Sequence, residues 1–257
     1  MHYAGTASAP AFRGKDVIIL CFAGLALPIF AGLGLGLAIE AFGKPGDATG
    51  QIAAWIDGKA HGLIWLDFVV ASTVLIVQVA VIQVLLLNRQ GLTWQEFGFN
   101  AIEWHWLILG AVLATVLAAS GEAIYYALGL EESATAFGRG EFAPQTKDWV
   151  TVSACMILFG PLTAFIEEAF FRGLVHRWMQ QHMQPLLACL ASSAFFALVH
   201  FYLIAPGGFL GLVFTAQVFV IGFVLAILFV RTGSLWPGTW LHAFFNIFAI
   251  AGYLVVG

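Results

Sequence analysis

Charge is scarce in this 257-residue chain. Asp, Glu, Lys and Arg make up 9% of it while 61% is hydrophobic, against roughly 25% charged in soluble domains. So few charges cannot cover a water-facing surface, which excludes an ordinary soluble domain and leaves an integral membrane protein. Ten Lys and Arg against fourteen Asp and Glu give a formal charge of −4. The basic residues are scattered, so no patch for nucleic acid forms. Cysteine is nearly absent: Cys21, Cys155 and Cys189 stand alone in apolar runs without CxxC spacing and read as small buried hydrophobes, not as disulfides or metal ligands. No alternating ten-residue pattern occurs, which excludes a membrane barrel, and there is no internal repeat or low-complexity tract.

What is present is long apolar runs. Seven candidate spans cover roughly 17 to 42, 63 to 87, 104 to 128, 149 to 180, 185 to 203, 209 to 230 and 236 to 256. The expected fold is all-α, a polytopic transmembrane helical bundle of about seven to eight spans in one integral membrane domain, 1–257. The first run follows Arg13 and Lys15 and exceeds the roughly 7–15 residues of a signal-peptide core, so it reads as a retained span. A cytoplasmic N-terminus would put Arg13, Lys15, Arg89, Arg172, Arg177 and Arg231 on the cytoplasmic side. Lys44, Lys59, Arg139 and Lys147 would lie opposite, a bias that favours this orientation.

Against this background a few polar residues stand out: Glu167, Glu168 and Arg172 in the fourth run, His200 in the fifth, His242 and Asn246 in the last. Ionisable groups in a span are costly and mark a functional site by default. Singly, each has a bland reading: an acidic pair ending a helix, a histidine satisfied by a carbonyl, a polar seam between helices. Together, two carboxylates and two imidazoles can activate a water and stabilise the charge formed when it attacks a carbonyl.

The fourth run as one helix would measure about 48 Å against a hydrocarbon core near 30 Å, so its polar end projects. Folding back at 183 and 184, ahead of Pro185, brings Glu167 level with His200. His242 and Asn246 lie one turn apart near the start of the last helix. Glu168 and Arg172 form an i,i+4 pair, and Glu167, rotated about 100° from its neighbour, becomes the water-activating base. Glu122, near Tyr125 and Tyr126, and Phe196 are candidates for a substrate groove. Asp67, Gln78 and Gln83 read as helix-packing or interfacial groups, Trp104, His105 and Trp106 as an interfacial belt, and His176 and His182 as exposed on the projecting end.

Glu167-Glu168-Ala-Phe-Phe-Arg172, Phe196-Ala-Leu-Val-His200 and His242-Ala-Phe-Phe-Asn246 match, in order and on separate helices, the EExxxR, FxxxH and HxxxN motifs of the CPBP family, the CAAX protease and bacteriocin-processing (Abi) family. The segment from Arg89 to Phe99 resembles the family's amphipathic connection. The resemblance covers about residues 89 to 250, the catalytic core, and leaves 1–88 as less specific N-terminal spans. It implies a multi-spanning, glutamic-type endopeptidase in which Glu167 and His200 activate water while His242 and Asn246 form the oxyanion hole. No cofactor is required on that reading.

Alternatives remain on the sequence. Glu167, His200 and His242 could hold Zn²⁺ with one open position, although no HExxH pair occurs and Asn suits an oxyanion donor better than a zinc ligand. An ion- or proton-coupled transporter would place similar groups in a bilayer but calls for repeats and broken helices. A non-proteolytic immunity or scaffold protein would not need intact motifs. The expected partners are a membrane-anchored peptide or protein substrate and the lipid bilayer. The expected location is an inner or plasma membrane, if the source is prokaryotic, with the active site facing the cytoplasm.

Overall fold

The computed structural model describes residues 12–24, 30, 34, 64–141, 149–200 and 208–255. The described residues are helical with no strand, as the apolar runs require, because only helices or closed barrels satisfy every backbone group inside lipid. The first helix, α1, covers 14–24. Apart from residues 30 and 34, the rest of the first expected span lies outside the described residues. Next come α2 (64–90), the single turn α3 (Trp94–Phe97), α4 (Trp104–Ala127), α5 (Glu131–Glu141), α6 (149–180), α7 (Pro185–Val199), α8 (Gly208–Thr232) and α9 (Trp236–Val255). Among the described residues four stretches are long and apolar enough to cross a membrane, Ser72–Gln90, Trp104–Ala127, Val152–Gln180 and Gly208–Thr232. Their lipid-facing character shows in outward side chains such as Ile76, Val112, Val116, Leu212 and Val220.

Local chemistry sets the breaks. Pro185 occupies the first turn of α7, where a missing N–H costs nothing. Thr93 caps α3: its backbone N–H and its hydroxyl both donate to the Glu96 carboxylate, at 2.8 and 2.9 Å, and hold that carboxyl below its ordinary range. Inside α6, Pro161 cannot donate to the preceding turn. The helix widens into a π-helical stretch over Leu158–Leu162, where the Thr163 N–H and hydroxyl both reach the Leu158 carbonyl. A second such stretch, Ala169–His176, follows directly after Glu168.

Two expectations change. The connection from Gly129 to Asp148 contains α5, whose polar, glycine-bearing sequence conceals an apolar contact: Ala134 packs beside Tyr125, Leu210 and Phe214. His176, expected to be exposed, is fully buried, its Nδ1 2.9 Å from the Ser192 hydroxyl. The α6–α7 hairpin closes over it instead of leaving the end of α6 in water. His182 is exposed as expected. Gln78 donates to the Gly24 carbonyl and Gln83 accepts from the Trp94 indole, so both join helices.

One end of the bundle is tied by aromatic packing among the start of α1, α3, the end of α6 and the α8–α9 turn. Phe12 meets Phe97, Arg177 lies over Phe97, and the Leu235 N–H donates to the Gly98 carbonyl. Gly173 belongs to this seam, since a Cβ there would stand 2.6 Å from the fully buried Phe97 ring. Gly173→Ala is therefore expected to cost about 1–3 kcal/mol by overpacking. The check is thermal melting in detergent, and an unchanged midpoint would show that the seam yields freely.

Candidate active site

Three helices bring the motif residues together. The 100° step between adjacent helical residues sends Glu168 into the bundle, 1% exposed, and turns Glu167 toward a cavity. Glu168 Oε1 accepts from Arg172 Nη1 at 3.0 Å, and Arg172 Nη2 donates to the Gly222 carbonyl of α8 at 3.0 Å. The guanidinium also lies over the Phe196 ring, 4.4 Å from its centre. A charge this deeply buried is tolerable only when paired and hydrogen-bonded, and Arg172 has a carboxylate, a carbonyl and a π face.

The same Glu168 oxygen reaches 3.1 Å to His242 Nδ1. Since a carboxylate only accepts, Nδ1–H of His242 is the donor. His200, at the C-cap of α7, places Nδ1 2.7 Å from the Phe196 carbonyl, again an acceptor, so its Nδ1 carries a proton too. In the neutral rings both Nε2 atoms are then acceptors. They converge on Glu167: Oε2 is 3.7 Å from His200 Nε2 and 3.7 Å from His242 Nε2, and this buried oxygen makes no hydrogen bond. Three acceptors facing one another need a hydrogen donor or a cation between them. Separations of 3.7 Å exceed a direct hydrogen bond but suit a bridge through one water.

Asn246, one turn beyond His242 on α9, donates one amide hydrogen to the Phe159 carbonyl in the first π-helical stretch of α6, at 2.8 Å. The amide carries a second hydrogen, and Asn246 lines the cavity. Thus Glu167, His200, His242 and Asn246 share one cavity of about 620 Å³, with Glu168 and Arg172 packed behind. Phe196 and Glu122, the groove candidates, both line it, Phe196 beneath the two histidines and Glu122 on α4. Cys155 and Cys189 are buried and Cys21 is partly buried, with no disulfide among them.

Sequence reasoning missed the links between motifs. Glu168 to His242, Asn246 to Phe159, and the Tyr125–Gln217 pair that also lines the cavity join residues far apart in the chain. Only the polarity of Gln217 within the apolar α8 could have signalled the last of these.

A zinc ion can be tested against the donor set. One carboxylate and two imidazoles whose distal nitrogens are held by a carboxylate and a carbonyl are the chemistry of a zinc site with its outer support. The spacing is looser: among the described residues no three His, Cys, Asp or Glu side chains stand close enough to form a metal cluster. Glu167, His200 and His242 would be the ligands, and the ion would supply an acidified water.

No curated protein and no solved structure was found to match the chain. A family model does match, and the match supports an intramembrane endopeptidase in general. Over residues 149–248, the stretch that carries all three motifs, the chain matches the type II CAAX prenyl endopeptidase Rce1-like family, consistent with the CPBP family that those motifs resemble.

Proposed function

We propose that the protein is a glutamic-type intramembrane endopeptidase that cleaves a membrane-tethered peptide or protein. The observation that carries this reading is the unbonded Glu167 oxygen 3.7 Å from two imidazole nitrogens in a largely apolar cavity. A water bridging Glu167 and His200 gives one hydrogen to each. As its oxygen bonds to the scissile carbonyl carbon, Glu167 takes the proton. The carbonyl electron pair moves onto oxygen, where the second amide hydrogen of Asn246 and a doubly protonated His242 donate to it. His242 can donate through Nε2 only in that charged form, and the Glu168 carboxylate at its Nδ1 offsets the charge. Collapse reforms the carbonyl and breaks the C–N bond, and the proton held by Glu167 passes to the leaving amine. Glu168 and Arg172 position His242 and do not touch the substrate.

Tethering by a lipid or a span suits this site, because it raises local concentration and aligns an extended backbone with Glu167. The basic side chains Arg13, Lys15, Arg89, Arg177 and Arg231 belong to the tied end of the bundle described above. By the positive-inside rule we assign that end, the one nearer the motif residues, to the cytoplasm. Lys44, Lys59 and Lys147, expected opposite, lie outside the described residues.

The convergence of three acceptors also favours a second reading, a zinc endopeptidase with the same residues. The two separate on purified protein and an anchored peptide taken from whichever membrane protein accumulates uncleaved when this chain is deleted. The metal-free reading expects zinc-depleted protein to retain its activity and a strong chelator to change little. Stoichiometric zinc, with activity lost on its removal and restored on its return, would establish the other.

A further inference from the structure

The cavity extends well past the reacting groups. Gly110 of α4 stands against Leu241, the neighbour of His242, with its Cβ position 3.3 Å from the Leu241 nitrogen. Glu122 follows twelve residues later on the same helix, about 18 Å further along its axis. Between them α4 presents Thr115, Ala118 and Ala119 to the cavity, a wall of small side chains, and α9 lines it from His242 to Gly252. At the far end the lining turns polar again, with Glu122, Tyr125, Thr135 and Gln217 contributed by three helices.

This second polar group is built. The Tyr125 hydroxyl donates to Gln217 Oε1, joining α4 to α8. A Cβ at position 121 would collide with the Gln217 Nε2, so glycine there lets the Gln217 amide sit against α4. Glu122 brings a carboxylate, Tyr125 and Thr135 bring hydroxyl oxygens, and Gln217, whose Oε1 accepts from Tyr125, brings its amide hydrogens. Among the described residues lining the cavity none is Lys or Arg, so the carboxylate charge meets no cation from the wall.

We propose that Glu122, with Gln217 and Tyr125, forms a subsite for a cationic substrate side chain, Lys or Arg, that enters the far end of the cavity while the scissile bond lies at Glu167. His242 and Asn246 lie one and five residues beyond Leu241 on α9, so Glu122 is about 10–17 Å from them along the axis, and at about 3.3–3.6 Å per residue of extended chain the basic residue stands about three to five residues from the bond cut. Lys and Arg supply a positive charge and several donors for the Glu122 carboxylate and the neighbouring hydroxyl oxygens, and a neutral side chain leaves the carboxylate unmatched. The proposal rests on the endopeptidase reading for the position of the bond, and its binding test does not need cleavage.

The test uses the full-length chain carrying Glu167→Gln in liposomes. The probes are lipid-anchored peptides of one apolar sequence with Arg, Gln or Glu placed at each position in turn, and binding is read by fluorescence anisotropy. At one position the Arg peptide is expected to bind about tenfold more tightly than the Gln peptide, as for a hydrogen bond to a charged partner. Adding Glu122→Gln is expected to erase that difference, and Glu122→Lys to transfer the preference to the Glu peptide. Equal affinity for Arg and Gln peptides at every position, or a preference for Arg that survives Glu122→Lys, would overturn the subsite. Cleavage is scored separately with Glu167 intact: selective binding without cleavage sinks the endopeptidase reading and upholds the subsite, whereas cleavage without selectivity does the reverse.

Discussion

Glu167→Gln is expected to lower cleavage by on the order of 10³-fold while leaving the protein folded in the membrane. The substitution preserves volume and leaves an oxygen facing the cavity, but an amide cannot take the proton of the attacking water. Glu167 makes no hydrogen bond through Oε2 and meets His200 and His242 only at 3.7 Å, so the fold loses little. The result to look for is a fall in kcat with an unchanged melting temperature in detergent. If the variant cuts at the wild-type rate, the base lies elsewhere. If it melts well below the parent, the carboxylate is holding structure and the loss of cleavage says nothing about proton transfer.

Arg172→Ala is expected to have the largest effect on stability, about 3–5 kcal/mol, because it strands a buried carboxylate. Glu168 and Arg172 are each 1% exposed, so solvent cannot screen the unpaired charge. The same change removes the bond to the Gly222 carbonyl and the contact with Phe196, which together join α6, α7 and α8. A melting point lower by roughly 10 °C in detergent follows for a chain of this size. Glu168→Ala alone is expected to be similarly damaging, and the two changes together to cost less than their sum, since the double variant leaves neither charge stranded. Additive costs, or an unchanged melting point in both single variants, would show that the pair contributes no cohesion.

Glu168 also positions His242. Glu168→Gln keeps the shape and an acceptor for His242 Nδ1 but removes the charge that pairs with Arg172 and supports a doubly protonated ring, so it is expected to lower the melting point through the lost pairing and to slow cleavage in the protein that stays folded. Its effect on cleavage should fall on kcat more than on KM, as expected for a group that acts in the transition state.

How much of this was legible depends on the range of each interaction. The long helices among the described residues could be placed from the chain alone because burial in lipid demands continuous apolar runs and because Pro185 acts on its own neighbours. The α6–α7 hairpin followed from counting: equal distances from the turn bring Glu167 to His200, as found. The Glu168–Arg172 pair followed from i,i+4 spacing. Counting failed at His176 because depth along a helix does not say which way a side chain faces, and Ser192 on the returning helix claims it. Helix α5 was missed because its buried contact at Ala134 sits in a segment whose composition reads as a turn.

By itself the amino-acid sequence determined an all-helical membrane protein and the residue types of its site, since hydrophobicity and helical spacing are local properties. Only the tertiary structure decided what those residues do to one another. Glu168 is shared between Arg172 four residues away and His242 seventy-four away, and Asn246 is aimed by the carbonyl of Phe159, eighty-seven residues back, beside a proline that widens its helix. Such links depend on the rotation of each helix about its axis and on how the helices cross. Packing between helices sets both, so no single segment can specify which nitrogen of a histidine carries the proton and which faces Glu167.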